Sequence, residues 1–179
     1  MAVRSSMTEL IGVVRGLIGD TIQAAEQFTD QDLQDSLDMT RADVRLFELT
    51  GAETIQSGGT VVWLDFYSEG YQYWEADEKL QDRNWATLTP ATSERQVGHW
   101  TFSANQYPPV YITGKTYDPY AAAADLLETF AANLFNQVDI NVAGQQFAFS
   151  QKQKQVLAAA DRLRSKANCT RAAVIRSDV

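Results

Sequence analysis

The chain has 179 residues, of which 45% are hydrophobic and 11% aromatic, and a formal net charge of −8. This composition supports a sizeable core and excludes a disordered or low-complexity chain, while the length suits one domain or one domain with an insertion. A single cysteine, Cys169, and a single histidine, His99, exclude an internal disulfide and a cysteine-rich metal site.

The first predicted element is a helix. Ser6 and Glu9 form an S-x-x-E capping pattern, Met7, Leu10, Ile11, Val14, Leu17 and Ile18 recur at helical spacing, and Gly19 is a natural stop. Glu9 and Arg15 interrupt this apolar stripe and no cleavage site follows, so the segment does not read as a signal peptide. No apolar run approaches the ~20 residues of a membrane span. The expectation is a soluble protein made in a cytoplasm.

A second helix is predicted from Thr29, with Asp32 at the third helical position and Phe28 and Leu33 placed for a hydrophobic staple. Asp30 and Asp32 complement the dipole of the first turn. Leu33, Leu37, Thr40, Val44 and Phe47 are read as one continuing apolar face, ended by Gly51. The acidic run Asp30, Asp32, Asp35, Asp38 reads as a solvated face, because no glycine turn frames it as a metal loop.

From about residue 52 to 117 the period changes. Thr60–Tyr67 is rich in β-branched and aromatic residues, and shorter β-like runs follow at 73–75, 85–88, 98–102 and 110–113. All four tryptophans, Trp63, Trp74, Trp85 and Trp100, lie here. They are read as the core of a small antiparallel subdomain, with a sugar- or base-binding surface as the alternative.

A third helix is capped by Asp118 with Pro119 in its first position. Its apolar stripe is Tyr120, Ala123, Ala124, Leu127, Phe130, Ala131 and Leu134. A hairpin is predicted over 138–149, with Val138, Ile140 and Val142 on one strand and Phe147 and Phe149 on the other. Such a hairpin is marginal in water and needs a partner, so these five residues are the expected subunit interface. The fourth helix starts at Ser150 and buries Val156, Leu157, Ala160, Leu163 and Ala167. Residues 1–149 hold 8 Lys/Arg against 21 Asp/Glu, net −13, whereas residues 150–179 hold 7 against 2, net +5. The basic arm is read as a docking segment. Its residues are Lys152, Lys154, Arg162, Arg164, Lys166, Arg171 and Arg176, with the apolar Val174 and Ile175 near the end.

No P-loop, dinucleotide fingerprint, zinc-protease motif or nucleophile elbow is present. His99 sits in an alternating run and reads as a strand histidine. Glu75, Asp77 and Glu78 are too ordinary in an acidic chain to mark a glycosidase. No catalytic residue, cofactor or metal ligand is expected.

The order of elements, together with Met7–Ile11, Phe28–Asp35, Thr113–Asp118, Ala121–Leu127 and Ser150–Lys152, resembles the head–tail connector (adaptor) proteins of long-tailed bacteriophages. The resemblance covers nearly the whole chain and rests on structural motifs in a shared order. It implies a homo-oligomeric ring, typically of twelve copies, under the portal of a filled capsid. The ring extends the DNA channel, lets DNA pass without sequence-specific binding, and offers a platform to the next neck or tail protein. The implied setting is the virion neck, with no membrane. A tail-terminator or stopper of the same neck, and a carbohydrate-binding module using the tryptophan-rich sheet, are the competing readings.

The expected fold is α+β. A four-helix bundle-like core spans 1–51 and 118–167 and carries the hairpin. An inserted β subdomain covers 52–117, and an extended docking tail covers 168–179.

Overall fold

The computed structural model describes residues 2–20, 27–56, 58–134, 140–142, 145–147 and 149–167, with the side chains of 140–149 outside that description. In chain order the elements are a 3-10 turn Ser5–Met7, α1 (Thr8–Ile18), α2 (Asp30–Met39), β1 (Ala42–Ile55), β2 (Val61–Tyr67), β3 (Lys79–Asp82), β4 (Thr87–Leu88), β5 (Thr92–Glu94), β6 (His99–Thr101), β7 (Val110–Thr116), α3 (Pro119–Leu134), β8 (Ile140–Val142), β9 (Gln145–Phe147) and α4 (Phe149–Ala167). They fall into a helical unit, up to Thr40 and again from Asp118, and a sheet unit over Arg41–Tyr117.

In the helical unit α3 is the hub, packing against α1, α2 and α4. Ala122, Ala123 and Ala124 are fully buried. Small side chains at these positions let neighbouring helices approach closely. The Ser36 hydroxyl of α2 donates to the Ala122 carbonyl at 2.9 Å. Asp118 caps α3 by accepting from the Tyr120 and Ala121 N–H groups at 3.1 and 3.0 Å. α1 begins with Met7 rather than Ser6 at its N-cap and ends at Gly19, whose left-handed φ of 75° lets its N–H reach the Arg15 carbonyl. Arg15 then ties down the start of α2, reaching Asp30 at 2.7 Å, the Phe28 carbonyl at 3.2 Å and Asp20 at 3.3 Å. α2 itself opens with a complete capping box between Thr29 and Asp32.

The sheet unit is a seven-stranded antiparallel sheet in the order β4-β3-β7-β1-β2-β6-β5. β1 joins its two halves. Residues 42–49 pair with β7 and residues 50–55 pair with β2. One core takes side chains from both halves: Val44, Leu49, Phe66, Trp74, Leu80, Trp100, Phe102, Val110 and Ile112. A single sheet that supplies both sides of its own core must curl around it. Trp74 and Trp100 meet edge to face at 5.7 Å, and Phe66 meets Phe102 at 5.6 Å. Each buried indole finds a hydrogen-bond acceptor, Ser68 Oγ for Trp74 and Glu78 for Trp100.

The four-helix bundle-like core expected from the sequence is corrected by this architecture, which centres on the sheet. The misreading lies in residues 42–51. α2 stops at Met39, and Val44, Phe47 and Gly51 belong to β1. A bulge between Val44 and Phe47 sets two residues of β1, Arg45 and Leu46, against Thr113 of β7. That extra residue puts Val44 and Leu49, five positions apart, on the same inner face. It breaks the period of two and leaves a spacing of three to four that mimics a helix. Gly51 lies mid-strand, where a Cβ would sit 3.1 Å from ring atoms of both Phe66 and Trp63. Strands β3 and β5 carry no strand pattern in the sequence, and 73–75 contributes only a bridge from Trp74 to Thr116.

Candidate subunit and docking surfaces

α4 carries Lys152, Lys154, Arg162, Arg164 and Lys166 against one acid, Asp161. α3 engages three of these five cations. Arg164 bonds Glu128 at 2.7 Å and Asp125 at 2.8 Å, and these carboxylates, Glu128 first, hold its guanidinium above its ordinary value. Lys152 lies 5.2 Å over the Phe130 ring and Lys166 lies 5.9 Å over the Tyr120 ring. Lys154 and Arg162 are exposed and make no ion pair among the described residues. Between them Leu157 is 40% exposed. Ala160, Leu163 and Ala167 form the buried face, and Gln153 donates to the Ala131 carbonyl of α3 at 3.2 Å.

The opposite charge lies on α2. Asp30 and Asp38 are taken up by Arg15 and Arg4. Asp32 is held charged below the usual carboxylate range by the Thr29 hydroxyl and then the Thr29 N–H. Asp35 is bonded by the neutral Gln31 amide at 2.6 Å. Asp32 and Asp35 are exposed, and Met39 beside them is 85% exposed.

Of the expected interface residues, Ile140, Val142 and Phe147 fall in the antiparallel pair β8–β9, with Ile140 opposite Phe147. Phe149 is the first residue of α4, and Val138 lies outside the described residues. Of the docking set, Arg171, Val174, Ile175 and Arg176 lie outside the described residues, as does Cys169.

The sheet unit holds two polar clusters that sequence reasoning did not assemble. Glu75 is fully buried, accepts from the Tyr117 hydroxyl at 2.6 Å and lies 3.3 Å from Lys115 Nζ. Lys115 also binds Asp77 at 2.6 Å, and Asp77 first, then Glu75, hold its ammonium above its ordinary value against the opposing effect of burial. His99 Nε2 is 2.9 Å from Asp65, its Nδ1 is 3.6 Å from Glu94, and Tyr67 stacks on its ring at 4.5 Å. Glu75 and Asp77 meet Lys115 and Tyr117 from 38 to 42 positions on, and Asp65 meets His99 34 positions on, so spacing gives no signal for these pairs. Trp74 and Trp100 are buried, whereas Trp85 is 56% exposed and stacks on Tyr111 at 5.5 Å.

Among the described residues no group of three His, Cys, Asp or Glu side chains is arranged to hold a metal, and no helix is long and apolar enough to cross a membrane. Compared with known proteins, the chain matches no family model, no curated protein and no solved structure.

Proposed function

We propose that this protein is a structural component of a virion neck. It is a head–tail adaptor, made in the cytoplasm of a bacterial host, that forms a ring beneath the portal, extends the DNA channel and carries the next neck or tail protein. The observation behind this reading is the β8–β9 hairpin. It has three residues per strand and joins no third strand among the described residues. Such a hairpin is marginal alone, and its unpaired strand edges are suited to pairing with another chain. Contacts between different patches of identical subunits produce a ring where the rotation between copies closes. The net charge of −13 over residues 1–149 favours a lumen that repels phosphates and lets DNA slide. The sequence resemblance supports the portal as the site of assembly, with the tail residues Arg171, Val174, Ile175 and Arg176 as its docking arm.

A tail-terminator or stopper of the same neck is the second reading. It is favoured by the central sheet and by helices of 11, 10, 16 and 19 residues, a minority of the described residues. The carbohydrate-binding reading narrows to the Trp85–Tyr111 pair, since Trp74 and Trp100 are inside.

Native mass measurement of the purified protein, alone and mixed with portal, separates these readings. An adaptor gives a closed oligomer bound to portal. Oligomers that ignore portal favour the terminator or stopper. A monomer in both samples, with glycan binding lost in Trp85→Ala, favours the carbohydrate module.

A further inference from the structure

We infer that α2 of one copy docks against α4 of the next, with Asp35 and Met39 meeting Lys154 and Leu157 across the subunit boundary. The inference rests on the ring reading above and names the surfaces that would close the ring.

Three observations support it. The two stripes are opposite in charge: Asp32 and Asp35 on α2, Lys154 and Arg162 on α4, all exposed. Each stripe also carries an exposed large apolar side chain, Met39 at 85% and Leu157 at 40%. Their lengths match, since Asp32 to Met39 spans about 10 Å and Lys154 to Arg162 about 12 Å at ~1.5 Å per residue. Both helices pack on α3 within one copy, and the stripes point to solvent, so they meet only in trans. The two patches differ, which makes the contact heterologous and able to propagate around a ring. Charges placed in this way give partner selection and orientation more than raw affinity, and the apolar pair supplies burial. Asp161 is one turn from Leu157 and two turns from Lys154 on the same face of α4, so it offsets part of the positive charge of this stripe.

A charge swap tests the contact. Lys154→Glu, Asp35→Lys and the double variant are compared with the native protein by sedimentation, alone and with portal. Circular dichroism confirms that each variant is folded. Each single variant is expected to raise the concentration needed for assembly roughly tenfold, and the double to restore it to within about threefold. Met39→Lys, which puts a cation opposite α4, is a second probe and is expected to weaken assembly as well.

Single variants that assemble like the native protein, or a double that loses the sum of both effects, overturn the contact and leave the ring standing. Loss of portal attachment with unchanged self-assembly in Lys154→Glu also overturns it and assigns α4 to the portal. A native protein that assembles in neither condition overturns the ring reading, and this contact falls with it.

Discussion

The helical unit and the sheet unit bury their interiors with side chains of opposite size. Around α3 the buried surface is built from Ala122, Ala123, Ala124 and Ala131, closed by Leu10, Leu33, Leu37 and Leu163. In the sheet it is built from Trp74, Trp100, Phe66 and Phe102. Closely approaching helices have no room for a larger side chain, whereas a curled sheet has a wider interior, which aromatic rings fill together with Val44, Leu49, Leu80, Val110 and Ile112. The units should therefore fail in opposite ways, one on enlargement and the other on truncation. They can also be watched separately. All four tryptophans lie in the sheet unit, and the four α-helices among the described residues lie in the other. Tryptophan fluorescence reports one unit, and far-ultraviolet helicity mainly the other.

The largest effect is expected from Trp100→Ala. Its indole is fully buried, packs against Trp74 and donates to Glu78. Truncation should cost about 3–5 kcal/mol and shift the fluorescence transition to much lower denaturant. The helical signal should keep its native midpoint. If both probes shift together, the two units unfold as one.

The reciprocal change is Ala123→Leu, at a fully buried position of α3. Overpacking should cost about 1–3 kcal/mol, read in the helical transition, with the fluorescence midpoint unmoved. A neutral result would mean that the helices around α3 can separate, and the size contrast between the two interiors would lose its physical basis.

The sequence made parts of this contrast legible. The caps of α2 and α3 depend on residues within three positions of each other, and Thr29, Asp32 and Asp118 act as their spacing indicates. The aromatic core was visible because Trp, Phe and Tyr crowd one stretch of chain. β3 and β5 escaped because Lys79–Asp82 and Thr92–Glu94 are short and polar, with only Leu80 buried. The start of β1 escaped because its bulge replaces the strand period. The docking surface was half legible. Sequence marks α4 as basic, but the separation of Arg164, Lys152 and Lys166 from Lys154 and Arg162 depends on which faces α3, and Glu128 and Arg164 are 36 positions apart.

A smaller effect sharpens the comparison through pH. Thr29→Ala removes the hydroxyl that accepts from the Asp32 N–H and donates to its carboxylate. The loss should be about 1 kcal/mol near neutral pH, confined to the helical transition. The Asp32 carboxyl titrates below its ordinary value because of that bond. A depressed carboxylate contributes stability above its unfolded pKa and loses it as pH falls through the folded value. The gap between native and variant should therefore narrow in acid. A gap constant down to pH values below the ordinary carboxylate range would remove Asp32 from the account.

The smallest effect concerns the bulge that turned an apparent helix into β1, and its sign is the informative part. Leu46 has φ of 50°, is 50% exposed, and its N–H donates to the Thr113 hydroxyl at 3.0 Å. A left-handed conformation costs a non-glycine residue on the order of 1–2 kcal/mol, and glycine avoids that cost. Glycine also enlarges the unfolded ensemble, which returns about 0.4–1 kcal/mol of the gain. The net expectation for Leu46→Gly is a stabilisation of roughly 0 to 1.6 kcal/mol in the fluorescence transition. Leu46→Val should move the other way, because a β-branched side chain tolerates positive φ poorly. The hydrogen bond to Thr113 uses the backbone N–H and survives both changes. Opposite signs at one exposed position cannot come from lost side-chain contacts, which both variants reduce. If both variants destabilise the sheet, the Leu46 side chain holds the bulge by packing, and the conformational explanation is wrong.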